Sequence, residues 1–295
     1  EIALKAAKNI DADLVLATDP DADRVGIAAK NINHEFELLN GNQTAALLIY
    51  YLLTKWKEKG QLKGQEYIVK TIVTTELISV IASHFNVTCL DTLTGFKYIA
   101  EKIGQLESTQ TFIGGGEESY GYLIGDQVRD KDAVMSCAMI AELTAWAKDQ
   151  NKTLFDVLLD IWIEFGLYHE GLISITKKGK AGAQEIQQIM KTLRSTPPIF
   201  LNDILVTDII DYSNLTHLET KTKKILPLDS HESNVLQFIT EDRSRISIRP
   251  SGTEPKIKIY FSVYSSLKSK SELKEKKDQL DTLISKLSKS LLKHF

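Results

Sequence analysis

Three aspartates at alternate positions, Asp19, Asp21 and Asp23, stand between two apolar runs near the start of the chain, residues 14–17 and 25–29, and Arg24 follows at once. The apolar runs read as strands, the first of them buried. Three carboxylates this close repel one another and depress strand propensity, which argues against a bare structural role for the segment. A hard divalent cation would cancel that repulsion, because Mg²⁺ and Ca²⁺ prefer carboxylate oxygens. Pro20 stiffens the turn and the small Ala22 leaves room for ligands to converge. The plain alternative is an acidic, solvated turn. An EF-hand is excluded, since its glycine position falls on Arg24 and its terminal glutamate position on Lys30.

At 295 residues the chain is long enough for two or three domains. A hydrophobic share of 43% allows a sizeable core, and a net charge of −3 gives no global case for binding nucleic acid or a membrane. Cys89 and Cys137 lie far apart without a Cys-x-x-Cys spacing, so neither a disulfide framework nor a zinc site is expected, and a reducing cytoplasm is. No apolar run approaches the roughly 20 residues that span a bilayer. The chain opens at Glu1 inside a helical pattern that leads into the first strand, and reads as a fragment of a longer protein.

Helix and strand signals alternate almost throughout, which predicts layered α/β architecture. After a short strand near residues 35–39, residues 41–44 read as a turn with helix-capping chemistry, and 45–56 as a helix. Strands are expected at 67–74 and 87–90, helices at 76–85 and from Thr94 to about Ile103. A short strand at Phe112-Ile113 runs into three glycines, and helices follow at 133–147 and 154–164. The pattern changes near residue 166. Beyond it come a strand at 172–176, a helix at 181–193, strands at 204–211, 235–240, 244–249 and 257–264, and an amphipathic final helix whose lysines read as a solvated face. The fold class expected is multidomain α/β with mixed sheets and a C-terminal α+β domain, divided at 1–40, 41–166 and 167–295.

Two further stretches carry chemistry. Residues 114–121, Gly-Gly-Gly-Glu-Glu-Ser-Tyr-Gly, set two acids and a hydroxyl between glycines. Glycines permit a tight turn at a strand end and close approach to a ligand, and carboxylates give directional hydrogen bonds to the hydroxyls of a sugar. A polar turn explains the segment about as well. Residues 249–256, Arg-Pro-Ser-Gly-Thr-Glu-Pro-Lys, combine a guanidinium, two hydroxyls and a glycine-opened run of backbone N–H groups, a nest suited to a phosphate dianion. A hairpin turn accounts for the glycine and prolines but not for the arginine and both hydroxyls. Taken alone, Lys97 and Lys131 are ordinary solvent lysines, and the histidines show no metal-ligand spacing. Asp19, as the first acid of an Asp-x-Asp after a strand, together with Gly125-Asp126 and Asp130, also resembles haloacid-dehalogenase-type phosphatases, which stay open as an alternative.

Four motifs in order, residues 18–24, Thr94-Gly-Phe-Lys97, residues 116–121 with 128–134, and residues 249–255, resemble the α-D-phosphohexomutase superfamily, the phosphoglucomutase/phosphomannomutase family, over essentially the whole chain. The resemblance implies four domains around one cleft, with the chain holding part of domain 2 and domains 3 and 4. It implies that Asp19, Asp21 and Asp23 hold Mg²⁺ together with a phosphoserine, and that Arg24 sits beside the transferring phosphoryl group. It implies that Glu117 and Ser119 bind sugar hydroxyls, with Lys97 and Lys131 lining the same pocket. Arg249, Ser251, Gly252 and Thr253 would hold the phosphate that is not transferred.

No Thr-Ala-Ser-His-Asn-Pro-like segment, the family's phosphoserine loop, occurs in the sequence, so domain 1 and the start of domain 2 are expected to be absent and the polypeptide by itself inactive. The sugar loop reads Glu-Ser-Tyr-Gly rather than Ser-Gly-His, which favours the phosphoglucomutase and phosphopentomutase branches over the phosphomannomutases. The activity implied is interconversion of glucose 1-phosphate and glucose 6-phosphate through a phosphoserine and glucose 1,6-bisphosphate. Phosphopentomutase and phosphomannomutase activity are the near alternatives, and a non-catalytic sugar-phosphate binding module the distant one.

Overall fold

The computed structural model describes residues 1–252 and 254–295, and the chain divides into two compact units, Glu1–Gly166 and Leu167–Phe295. In the first unit, helix α1 (Ile2–Asn9) leads into strands β1 (Leu14–Thr18), β2 (Val25–Lys30) and β3 (Phe36–Leu39), a purely antiparallel sheet in the order β1-β2-β3. β2 is central and its Val25, Ile27, Ala28 and Ala29 are buried. β1 was expected to be buried but is not. It is an edge strand bonded only to β2, and its residues are half-buried to exposed.

The rest of the unit follows as α2 (Gly41–Glu58), β4 (Glu66–Thr71), α3 (Leu77–His84), β5 (Thr88–Thr92), α4 (Phe96–Leu106), β6 (Thr111–Gly116), β7 (Tyr122–Ile124), α5 (Ala133–Asp149) and α6 (Leu154–Phe165). α2 starts earlier than its apolar spacing predicts, because Asn40 and Gln43 form a reciprocal capping box that satisfies the first backbone donors. Its Ala45 to Ile49 are buried in an unbroken run, as in a helix enclosed on most sides. The second sheet has the order β5-β4-β6-β7, with β5 and β6 parallel to β4 and β7 antiparallel to β6. β4 is buried throughout, as expected of a central strand covered by helices on both faces.

Two boundaries in this sheet differ from the sequence reading. The expected strand 67–74 ends at Thr71, where the chain turns and Thr74 N–H bonds to the Thr71 carbonyl at 2.9 Å. The glycines 114–116, expected in a turn, lie inside β6. A Cβ on Gly115 would lie 2.2 Å from the Val69 carbonyl oxygen of β4, so the close pairing of the two strands requires a residue without one.

The second unit contains β8 (Leu167–Thr176), α7 (Gly179–Ser195), β9 (Phe200–Leu201), β10 (Ile204–Asp211), β11 (Thr216–Glu219), β12 (Lys224–Pro227), β13 (Leu236–Thr240), β14 (Arg245–Pro250), β15 (Lys256–Ser265) and α8 (Leu273–Leu291). Its sheet is antiparallel in the order β12-β11-β10-β13-β14-β15-β8, with β9 paired to β10. The short pair β11 and β12 escaped the sequence reading, since each is four residues long, without apolar alternation and with no buried residue. α8 buries Leu273, Leu280, Leu287 and Leu291 along the expected stripe and packs on β15 and β8. Among the described residues no helix is long and apolar enough to cross a membrane.

Candidate active site

In the β5-β4-β6 part of the mixed sheet, the chain leaves β4 to one side and returns to the other, which makes the carboxyl ends of β4 and β6 the switch point of the strand order, the place where open α/β sheets bind ligands. Two loops meet there. After β4, the Thr71 and Thr74 hydroxyls lie 2.8 Å apart, and the Thr74 Oγ1 accepts the Glu118 N–H at 3.2 Å. After β6, residues 117–121 close a hairpin in which Glu117 N–H bonds to the Gly121 carbonyl at 2.9 Å. Thr71 donates to Glu118 Oε2 at 3.3 Å. Thr71 and Thr74 were not singled out from sequence, and Glu118 was noted only as the second acid of the glycine-bounded stretch. The signal that finds them is their position at the ends of parallel strands.

Glu117 is 5% exposed, and its Oε1 accepts the Gly95 N–H at 2.7 Å. This ties the Thr94-Gly-Phe-Lys segment to the hairpin. Ser119 is half-buried in the same turn, and Lys97 is exposed at the start of α4 with its Nζ 4.7 Å from the Tyr98 ring centroid. The Thr94 hydroxyl is buried without a partner among the described residues.

The aspartate loop joins this region through backbone and side chain. Val25 N–H bonds to the Tyr120 carbonyl at 3.1 Å, and Ala133 N–H, the first of α5, bonds to the Ala22 carbonyl at 3.2 Å. Ala22 itself sits at φ 55°, a left-handed conformation that lets the loop reverse within four residues of Asp19. Asp19 Oδ1 accepts the N–H groups of Arg24 at 3.0 Å and Asp23 at 3.1 Å. Those donors hold its carboxyl below the usual aspartate range, the Arg24 N–H most strongly. Each of Asp19, Asp21 and Asp23 offers an oxygen within 4.8 Å of the others.

Lys131 reaches the triad from the loop before α5. Its Nζ lies 3.0 Å from Asp23 Oδ2 and 2.9 Å from Asp130 Oδ1. Burial of its stem lowers its pKa, but the two carboxylates more than offset this and hold the ammonium charged above its ordinary range. Arg24 is half-exposed, its Nε 3.8 Å from Asp23 Oδ1. Three carboxylate oxygens, one already facing a cation, form a donor set that fits a hard divalent ion.

In the second unit, β14 and β15 pair directly as a hairpin, with Arg249 opposite Lys258 and Pro250 opposite Ile257, so Arg249 and Pro250 end one strand and Ser251 and Gly252 lie just beyond it. Ser251 N–H bonds to the Lys256 carbonyl at 2.7 Å, and Ser251 Oγ accepts the Glu254 N–H at 3.3 Å. Arg249 is half-buried, and Gly252 is exposed with open space around its Cα. Thr253 lies outside the described residues. The hairpin and the anion nest are therefore compatible readings of one loop.

Residues 40–165 match the family model for phosphoglucomutase/phosphomannomutase alpha/beta/alpha domain III, and residues 175–280 match that for the C-terminal domain of the same family. The chain belongs to the phosphoglucomutase/phosphomannomutase family. It is 40% identical over 263 residues to a phosphoglucomutase of Staphylococcus aureus (strain N315), which covers 88% of this chain and 46% of that protein. The chain thus spans about half the length of the curated relatives it matches. Its fold is similar to that of pp63/parafusin, a phosphoglucomutase from Paramecium, with a TM-score of 0.66 at 18% identity over 96% of this chain and 46% of the other. It is also similar to the N-acetylphosphoglucosamine mutase of Aspergillus fumigatus, solved with GlcNAc-6P and magnesium, at a TM-score of 0.50 and 15% identity over 92% and 51% of the two chains. The family shown is the phosphoglucomutase/phosphomannomutase family and not that of the haloacid-dehalogenase-type phosphatases.

Proposed function

We propose that the chain supplies the metal-binding, sugar-recognising and phosphate-holding parts of a phosphoglucomutase-type enzyme that interconverts glucose 1-phosphate and glucose 6-phosphate. The observation that carries this reading is the joining of the Asp19–Asp21–Asp23 loop to the 117–121 hairpin by the Val25–Tyr120 hydrogen bond and by Lys131. A cation site and an array of sugar-hydroxyl acceptors are thereby fixed in one unit.

Asp19, Asp21 and Asp23 would hold Mg²⁺, which when bound supplies charge neutralisation for a phosphoryl group. Phosphoryl transfer depends mainly on positioning and on stabilising spread negative charge, and this chain's own groups are suited to both. Arg24 places a guanidinium beside the triad. Ser119 and the free capacity of the Glu117 carboxylate accept or donate hydrogen bonds to sugar hydroxyls, while the Gly95 N–H fixes Glu117 in place. Lys97 and Lys131 would add positive charge to the sugar-phosphate pocket. Arg249, Ser251, Gly252 and Thr253, a guanidinium, two hydroxyls and a glycine in one segment, would hold a phosphate. A substrate bearing phosphate at either end needs a sugar site that is fixed and a phosphate site that is separate.

The test uses calorimetric titration of the 295-residue chain with glucose 6-phosphate in the presence of Mg²⁺. Binding should be weakened at least about tenfold by Arg249→Ala, the loss of a charge-assisted bidentate contact. The chain alone should show no mutase turnover in a coupled assay. Binding indifferent to both Arg249→Ala and Glu117→Ala, or turnover above a buffer control, would refute the reading.

A further inference from the structure

Lys131 already occupies, as a cation, one carboxylate of the triad. Its Nζ sits 3.0 Å from Asp23 Oδ2, its side chain is only 13% exposed, and the ammonium stands 5.4 Å from the Phe96 ring centroid. The stem is wedged on the sugar-loop hairpin, since a Cβ on Gly121 would meet Lys131 Cδ at 2.4 Å. The backbone beneath it is anchored, with Asp132 N–H bonded to the Tyr122 carbonyl at 2.9 Å and Lys131 N–H to Asp130 Oδ1 at 2.7 Å. The side chain alone can therefore move, and Asp130 offers it a second partner at 2.9 Å. A dication on Asp23 would lie within about 5 Å of the ammonium, where the two charges repel.

On the reading that the triad binds a divalent cation, we propose that Lys131 is its built-in counter-cation. The ammonium holds Asp23 until a metal takes the carboxylates, and metal binding displaces it toward Asp130 and the 117–121 hairpin, where an anionic ligand meets it. Metal loading thus presents a positive charge to the sugar-phosphate side of the site. Lys131 acts here as a positioning residue for the triad. It competes for the same oxygen that the metal needs.

Two measurements test this on the whole chain. Mn²⁺ titration followed by electron paramagnetic resonance should give roughly five- to tenfold tighter binding for Lys131→Met, which keeps the apolar stem, because a repelling charge at this distance is removed. Asp130→Asn should bind roughly two- to threefold more weakly, since the ammonium then has only Asp23. Pulsed acetylation read by mass spectrometry should show Lys131 modified at least about twice as fast with Mg²⁺ as without, with Lys148 as the internal reference, as expected if an ion pair opens. Unchanged Mn²⁺ affinity in Lys131→Met, or Lys131 labelling that metal leaves unaltered or slows, overturns the proposal. If Asp21→Asn and Asp23→Asn bind Mn²⁺ as the parent does, the metal reading itself fails and takes this proposal with it.

Discussion

Gly41 to alanine is the substitution in which two physical effects oppose most sharply. Gly41 is the first residue of α2, where alanine would ordinarily stabilise by about 0.4–1 kcal/mol through reduced backbone freedom in the unfolded chain. The added Cβ, however, would lie 1.9 Å from the Glu118 carbonyl oxygen and 3.0 Å from Tyr120 N. Neither neighbour is the end of a flexible side chain. Both belong to the hairpin backbone, which is tied to the aspartate loop through Tyr120 and to Gly95 through Glu117. The Tyr122 hydroxyl, buried and bonded to the Gly41 carbonyl at 2.9 Å, holds the helix start against β7. Relief requires a shift of more than an ångström in one of two anchored segments, and overpacking of this kind costs roughly 1–3 kcal/mol. The net expectation is a loss of about 1–2 kcal/mol, or roughly 2–8 °C in Tm for a unit of this size. Thermal unfolding of Gly41→Ala measures it, beside Gly26→Ala as a control, whose Cβ would meet only the Ala17 carbonyl at 3.9 Å. A Gly41→Ala protein as stable as the parent would refute the claim that the hairpin backbone is fixed against α2.

Lys70, fully buried, pairs with Glu76 at 2.9 Å and Asp91 at 2.8 Å, both of which reach solvent, so Lys70→Met should cost about 1–3 kcal/mol in denaturant unfolding rather than the full penalty of a stranded buried charge. An unchanged unfolding midpoint would contradict it. Glu66 is buried and its Oε2 accepts the N–H groups of Lys63, Gly64 and Gln65 at 2.9, 2.9 and 3.2 Å. Burial raises its pKa, but these donors more than offset it and hold the carboxyl below its ordinary 4.5. A depressed folded pKa stabilises above the ordinary value and is lost as pH falls through the folded one. Glu66→Gln should therefore cost about 2 kcal/mol at pH 7, with the difference from the parent shrinking below roughly pH 4.5. A gap of constant size across that range would show that the carboxylate does not carry it.

The long periodic elements were legible from residue order alone. α5 and α8 follow their apolar spacing, and β4 is a strand as expected, although it ends at Thr71. What misled was local chemistry whose meaning depends on a distant partner. The glycines 114–116 carry turn propensity, yet Val69 across the β4–β6 ladder makes them strand residues. The apolar run of β1 carries a buried-strand signal, but an edge position leaves it half-exposed. β11 and β12 have too little apolar alternation to be found without the sheet that recruits them.

For the site, the sequence by itself determined the chemical types. Alternate aspartates, an acid-bearing glycine hairpin and an arginine-serine-glycine loop each have a narrow range of uses because charge and donor geometry travel with the residue. Their order along the chain pointed to the family before any coordinate was known. Only the tertiary structure decided which of them meet. It brought Lys131 onto Asp23, locked Glu117 to Gly95, and gathered Thr71, Thr74 and Glu118 at the ends of two parallel strands. Those contacts join residues as many as 108 positions apart, as between Asp23 and Lys131, and no local pattern encodes such a pairing. It follows from how the two sheets of the first unit and their loops pack together, which is a property of the packed chain as a whole.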